Sequence, residues 1–285
     1  MELPTPTRSG RKPQPAPLVH SSRCTEVVGG NESLAEHFLL PGLELFLIGR
    51  PAGSMAGGDI YCIHSCGHGT LTKFVLLDLT GHGQERDTLA HAVHNLLHPY
   101  AEETRPARLL ELVNQEYDHL ALPATLATAI SAIYEPGGGE FRFANAGQPR
   151  PFQWSAKQRR WRMVQPTEES DCGLPLGVNT EACYTEERIL LDVGDLLFLA
   201  SDGLSETRNR LDEFLKPDGV QTLLEESSSE VSRASSLSGL TTVFLRRIEE
   251  FRGDREFEDD LTLLWLRRLP TSAAQAFSER HRPAE

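Results

Sequence analysis

The stretch GGDIYCIHSCGHGTLTKFVLLDLTGHG, Gly57 to Gly83, reads as two strands joined by a turn. Ile60 to His64 and Thr72 to Leu77 are strand-like, and they flank Cys66-Gly67-His68-Gly69, a glycine-bounded connection suited to a hairpin. Asp59 opens the first strand after Gly57-Gly58, and Asp78 follows the apolar run Phe74-Val75-Leu76-Leu77. Two strands so closely joined must run antiparallel. A sheet of that kind is the starting point for the rest of the chain.

The same pattern recurs on both sides. Leu43-Glu44-Leu45-Phe46-Leu47-Ile48 supplies a strand upstream, where structure is expected to begin. Downstream, Pro136 to Gly139 joins strands over 124–134 and 140–145, and a polar turn joins Phe152-Gln153-Trp154 to Trp161-Arg162-Met163-Val164. Asp192-Val193-Gly194-Asp195 is read as the turn of a further hairpin between 188–191 and 196–200, and 261–266 as the last strand. Helical spacing appears at Leu89, Val93, Leu96 and Leu97, ended by Pro99. It appears again at Leu109, Leu110, Val113, Tyr117 and Leu120, with Thr104 as N-cap and Pro106 in the first turn. Further helices are expected over 211–226 and around Val243, Phe244, Ile248 and Phe251, separated by a serine-rich loop over 227–238. Hairpins interrupted by helical pairs, without βαβ alternation, specify an α+β fold with antiparallel sheets.

The bulk properties narrow the function. Of the 285 residues 39% are hydrophobic and 24% charged, ordinary for a globular protein, and one large domain with tails is expected. A basic, Pro-rich, disordered tail over 1–38 precedes a domain over 39–268, and a polar tail over 269–285 follows. The net charge of -13 disfavours a nucleic-acid partner. No apolar run reaches the ~20 residues of a membrane span, and the N-terminus lacks a secretory apolar core. The five cysteines have no framework spacing, which points to reduced thiols and a cytoplasmic location.

Two clusters compete for the chemistry. Cys62, His64, Cys66 and His68 alternate, so on one strand they share a face. At about 3.3 Å per residue the first and last lie roughly 20 Å apart, too far to converge on one zinc. Buried thiols and a polar loop are the better reading. The carboxylates behave differently. Asp59, Asp78, Asp202 and the pair Asp259-Asp260 each stand at the tip of an apolar strand, with glycines at 57, 58, 81, 83 and 203 allowing close backbone approach. Singly each reads as a turn aspartate. Together they form an all-oxygen donor set for a hard divalent cation, Mg2+ or Mn2+.

GRPAGSMAGGDIY, LLDLTGHG, FANAGQPRP, DCGLPLGV, LLFLASDGLSETRN and FEDDLTLLWL stand in the order and spacing of a known family. Through these six blocks the chain, from about Leu40 to Arg268, resembles the PPM metal-dependent protein phosphatases (protein phosphatase 2C-like). The branch is that of the sporulation stage II protein E and RsbU phosphatases. The resemblance implies an αββα sandwich with two divalent cations, Mn2+ or Mg2+, at one sheet edge. Asp59, Asp78, the Leu79 carbonyl, Asp202 and Asp259 resemble the metal ligands, with Asp260 an unresolved alternative to Asp259. The implied reaction is hydrolysis of phosphoserine or phosphothreonine by metal-activated water, without a phospho-enzyme. His82 is a candidate proton donor to the leaving oxygen, its alternative being to hold the start of the following helix.

Two positions depart from the branch: Cys62 replaces an acid, and Gln148 follows Asn145-Ala146-Gly147 where histidine is usual. Neither removes a core metal ligand; the alternative reading is a catalytically weakened member that binds phosphoproteins, against which the retained Asp59, Asp78, Asp202 and Asp259 argue. A cyclase signature fails, because Ile60-Tyr61 follows Gly57-Gly58-Asp59 in place of Glu-Phe. The implied substrate is a phosphorylated regulatory protein such as an anti-sigma factor antagonist. With only a short tail before the domain, control is expected through that tail, through a separate regulatory protein, or not at all.

Overall fold

The computed structural model describes residues 18–21, 25–30, 33–52, 58–66, 71–79, 95–117, 126–166, 173–231 and 236–270. Within them the strands form two sheets. Sheet 1 has the order β1 (Leu18–Ser21), β3 (Leu34–Leu40), β4 (Leu43–Arg50), β13 (Leu261–Arg268), β12 (Leu196–Ala200), β9 (Phe152–Ser155), β10 (Arg160–Met163). Sheet 2 has the order β11 (Glu187–Leu190), β8 (Glu140–Ala146), β7 (Ala127–Glu135), β6 (Leu71–Leu79), β5 (Asp59–Cys66), β2 (Thr25–Gly30). All pairings are antiparallel except β1 with β3 at one edge.

Apolar residues on both faces of the strands require cover on both sides, and β13 shows how it is met. Leu264 and Leu266 face sheet 2, joining Phe38, Leu45, Tyr61, Phe74, Phe141 and Leu197 in the core between the sheets. Leu261, Leu263 and Trp265 face the other way, against α3 (Lys216–Glu226) and α5 (Leu237–Arg252). Trp265 is fully buried and packs against Phe198, Phe244 and Trp161 at centroid distances of 4.3, 5.3 and 6.0 Å. On the far side α1 (Pro106–Tyr117) lays Leu109, Leu110, Val113 and Tyr117 on Val75, Leu77 and Ala144 of sheet 2. The order of layers is α, β, β, α, as expected. Among the described residues no helix is long and apolar enough to cross a membrane.

Several local expectations need correction. The segment expected as tail over 1–38 contains β1, β2 and most of β3, so ordered structure begins well before Leu43. Hydrogen bonding to sheet edges already present supplies the order that weak periodicity concealed. Strands 188–191 and 196–200 form no hairpin: β11 pairs with β8 in sheet 2, whereas β12 pairs with β9 and β13 in sheet 1. The turn between them carries the chain across the sandwich. Asp195 stabilises it by accepting the N–H groups of Asp192 and Ala156 at 3.0 and 2.8 Å.

The helix expected from 211 begins at Lys216, and Leu211 is exposed. The serine-rich loop contains the short helix α4 (Ser228–Val231) and Ser236, the N-cap of α5. At α1 the first helical bond runs from Leu109 N–H to the Arg105 carbonyl, so Arg105 and not Thr104 is the N-cap. Leu89, Val93 and Leu120 lie outside the described residues, as do both Gly-His-Gly tripeptides.

Candidate metal centre

The register of the first hairpin sets Asp59 directly opposite Asp78. Strand alternation gives Asp59 the face of Tyr61 and Ile63, and Asp78 the face of Phe74 and Leu76, which is the space between the sheets. Sheet 1 meets them at the same end. There β12 gives way to the short helix α2 (Asp202–Ser205), which Asp202 opens, and Asp259-Asp260 leads into β13. The β12 and β13 ends are tied by Ser201 N–H to the Thr262 carbonyl and Thr262 N–H to Ser201 Oγ, both at 3.0 Å. Gly203 permits the closeness, since a Cβ there would stand 2.0 Å from the Asp260 carbonyl oxygen.

The electrostatics follow from this convergence. Burial raises the Asp59 pKa well above the carboxylate range, and the charges of Asp78 and Asp260 add to it, while the polar Ser201 and Thr262 side chains nearby oppose it. Asp59 Oδ2 is buried without a hydrogen-bond partner. Asp78 is pushed up to about 7, by burial first and then by the charges of Asp202, Asp259, Asp260 and Glu206. Asp202 rises to about 6, by burial and then by Asp259 and Glu206. Among the described residues no three His, Cys, Asp or Glu side chains meet as a ready-made ion cage. The carboxylates act on one another through space, as like charges held near each other by the sheets.

A hard divalent cation fits this donor set. The donors are all oxygen, one buried carboxylate oxygen has no partner, and a backbone carbonyl lies at hand. Gly58 makes the last feature possible: a Cβ there would stand 2.3 Å from the Leu79 carbonyl oxygen and 2.9 Å from Asp78 Oδ1. The two acids at the head of β13 are distinguishable. Asp260 is buried, accepts backbone N–H groups and acts on Asp59 and Asp78, whereas Asp259 is partly exposed and acts on Asp78 and Asp202. His82 lies outside the described residues.

Glu206 escaped the reading of the sequence. It follows Asp202 by four residues, and its N–H bonds to the Asp202 carbonyl at 2.8 Å, so one helical turn brings the acids together. That i, i+4 spacing was the available signal. The Cys/His residues go elsewhere. Cys62 lies on the outer face of sheet 2 among the residues under α1, where burial pushes its thiol up to about 12. Such a thiol is a poor source of the thiolate that zinc requires. Gln148 is buried beside the acids' sheet edge, its backbone held by the Asn145 side chain and its Nε2 donating to Thr128 Oγ1 at 2.9 Å. Thr128 is the register partner of Asp78.

The profile of the family described as Stage II sporulation protein E (SpoIIE) matches residues 68–269. The chain belongs to this family. Phosphoserine phosphatase RsbU of Bacillus subtilis (strain 168) is similar to it, with 25% identity over 227 residues, 79% of this chain and 63% of that protein. The chain therefore spans less than two thirds of that relative's length. Among solved structures, the RsbU and RsbW domains of Rv1364c from Mycobacterium tuberculosis align with a TM-score of 0.67 and 24% identity, over 81% of this chain and 61% of that one. The SiaA-PP2C domain of Pseudomonas aeruginosa aligns with a TM-score of 0.65 and 17% identity, over 78% of this chain and 85% of that one. The SpoIIE-family chain thus has the two-sheet fold of the PP2C domains, as its sequence blocks implied.

Proposed function

We propose that this SpoIIE-family chain is a metal-dependent serine/threonine phosphatase that hydrolyses phosphoserine or phosphothreonine in a protein. The observation that carries the reading is the Asp59–Asp78 pair facing Asp202 and Asp259 across the sandwich edge, with Asp59 Oδ2 buried and unpartnered. Asp59, Asp78, Asp202 and Asp259 are the side chains to hold two divalent cations, Mn2+ or Mg2+, with the Leu79 carbonyl completing the set. Bound there, such ions neutralise phosphate charge and activate water near neutral pH. The chain's own part is to hold the carboxylates in place; the cations, when bound, would keep them ionised. Three of them sit where protonation would otherwise compete, and the strands allow little retreat.

The substrate proposed is a phosphorylated regulatory protein of the anti-sigma antagonist type, acting in the cytoplasm, with a separate protein controlling the activity. Similarity to a phosphoserine phosphatase and to a structure that joins RsbU and RsbW domains supports this choice. The test is release of phosphate from a phosphoserine protein with Mn2+ added. Activity is expected to vanish on chelation and in Asp202→Ala; activity that survives both overturns the reading.

A further inference from the structure

The chain leaves sheet 1 at Arg50, the end of β4, and enters sheet 2 at Asp59, the start of β5. Both ends of that crossing meet one side chain. Asp260 Oδ1 accepts the Ala52 N–H at 2.8 Å, and Asp260 Oδ2 accepts the Asp59 N–H at 3.5 Å. Asp260 is itself held from behind. Its carbonyl accepts the Ser201 hydroxyl at 3.2 Å and packs against Gly203, and its N–H donates to Asp259 Oδ1 at 2.8 Å. Only 5% of the residue is exposed. A buried carboxylate is costly unless its oxygens find donors, and here backbone N–H groups provide them.

We propose that Asp260 is a positioning residue: it clamps Ala52 and Asp59 to the head of β13 and so fixes the direction of the Asp59 carboxylate, which the hairpin register places opposite Asp78. It acts as a hydrogen-bond acceptor and not as a metal ligand. The idea rests on the reading of Asp59 as a ligand, but the clamp is measurable without metal. Holding the Asp59 N–H limits rotation of the strand start, and the direction of its Cα–Cβ bond follows from that. Side chains that orient ligands in this way govern affinity without touching the ion.

The experiment compares Asp260→Ala, Asp260→Asn and Asp259→Asn in the full chain. Two quantities are measured: Mn2+ affinity by calorimetry, and hydrogen exchange at the Ala52 and Asp59 amides with chelator present. Asp260→Ala is expected to lower Mn2+ affinity by about 10- to 100-fold and to expose the Ala52 amide to exchange. Asp260→Asn keeps an oxygen for the closer donor, Ala52 N–H, and is expected to restore most of the affinity and protection. Asp259→Asn, which alters a proposed ligand, is expected to lose affinity with the Ala52 amide still protected.

An Asp260→Asn protein as weak as Asp260→Ala, with both amides fully protected, makes Asp260 a ligand and overturns the proposal. If Asp260→Ala does not fold, Asp260→Asn against the unsubstituted chain decides alone. If no form binds Mn2+, the metal reading falls while the exchange data still judge the clamp: Ala52 unprotected in Asp260→Ala keeps it, and unchanged protection removes it.

Discussion

Asp59 and Asp78 are direct cross-strand partners, two carboxylates at the open end of one hairpin with both side chains turned between the sheets. Like charges so placed weaken a sheet. The neighbouring pairs Ile60–Leu77 and Tyr61–Leu76 are buried and hold the register, so the repulsion persists instead of being relieved by movement. Burial and like-charge pairing that raise carboxylate pKa values in this way are concentrated at functional sites.

Removing one charge should stabilise the chelated protein and damage metal binding together. Asp78→Asn is expected to raise the melting temperature in chelator by a few degrees, as about 1 kcal/mol does in a domain of this size. The same variant should lose the stabilisation that Mn2+ gives the unsubstituted chain. Calorimetric scans with and without Mn2+ check both; a lower melting temperature in chelator contradicts the repulsion.

The pH dependence has a definite sign. Asp78 and Asp202 have folded-state values of about 7 and about 6, above the ordinary 3.8. Their ionisation therefore penalises the metal-free fold fully above the folded values, and the penalty fades as pH falls towards the ordinary value. Thermal stability in chelator should rise between about pH 8 and about pH 5.5, and Mn2+ affinity should fall as protons compete. A stability that drops over this range, or one equally pH-dependent in the Asp78→Asn/Asp202→Asn double variant, assigns the effect elsewhere.

Gly58→Ala tests the Leu79 carbonyl. The new Cβ would meet a backbone oxygen at 2.3 Å, a contact no side-chain rotation can relieve. Displacing that carbonyl and Asp78 should cost about 1–3 kcal/mol of stability. Phosphatase activity should fall roughly 10²-fold, the usual consequence of a misplacement near 1 Å. Denaturant melts and phosphate-release assays on the folded variant measure the two effects. Full activity removes the carbonyl from the site.

At the opposite end of β4, Glu44 is buried and accepts from His37 Nε2 at 3.0 Å and from Leu237 N–H, with Arg267 at 3.4 Å. Burial pushes its pKa up, but the His37 hydrogen bond, the Arg267 charge and the Leu237 N–H outweigh it, leaving a net lowering from 4.5. Its contribution is thus present above 4.5 and is lost as pH falls through the lower folded value. Glu44→Ala, which strands Arg267 in a mostly buried position, should cost about 3 kcal/mol at neutral pH. The deficit relative to the unsubstituted chain should shrink in acid. Urea melts across that pH range check it.

How much was legible depends on the range of the interaction. The β5–β6 and β7–β8 hairpins were readable because period-2 apolar runs and glycine turns are local signals. The β1–β3 region was missed because its strands are stabilised by neighbours: β2 by β5, and β3 by β4. The turn at Asp192 to Asp195 looked like a hairpin, since four residues suffice either to reverse a strand or to change sheets. Glu206 stands at no strand tip, and its partnership with Asp202 belongs to a helical turn.

By itself the sequence determined an antiparallel α+β fold and an oxygen-rich set of aspartates at strand ends. Both are written in residue type and short-range spacing. Only the tertiary structure decided which sheet each strand joins, and which of Asp259 and Asp260 is buried against backbone donors. Asp59 and Asp260 are 201 residues apart and meet through a bond between the sheets. Alternation tells a side chain which face it takes, but the partner across that face is set by packing two apolar sheet surfaces together.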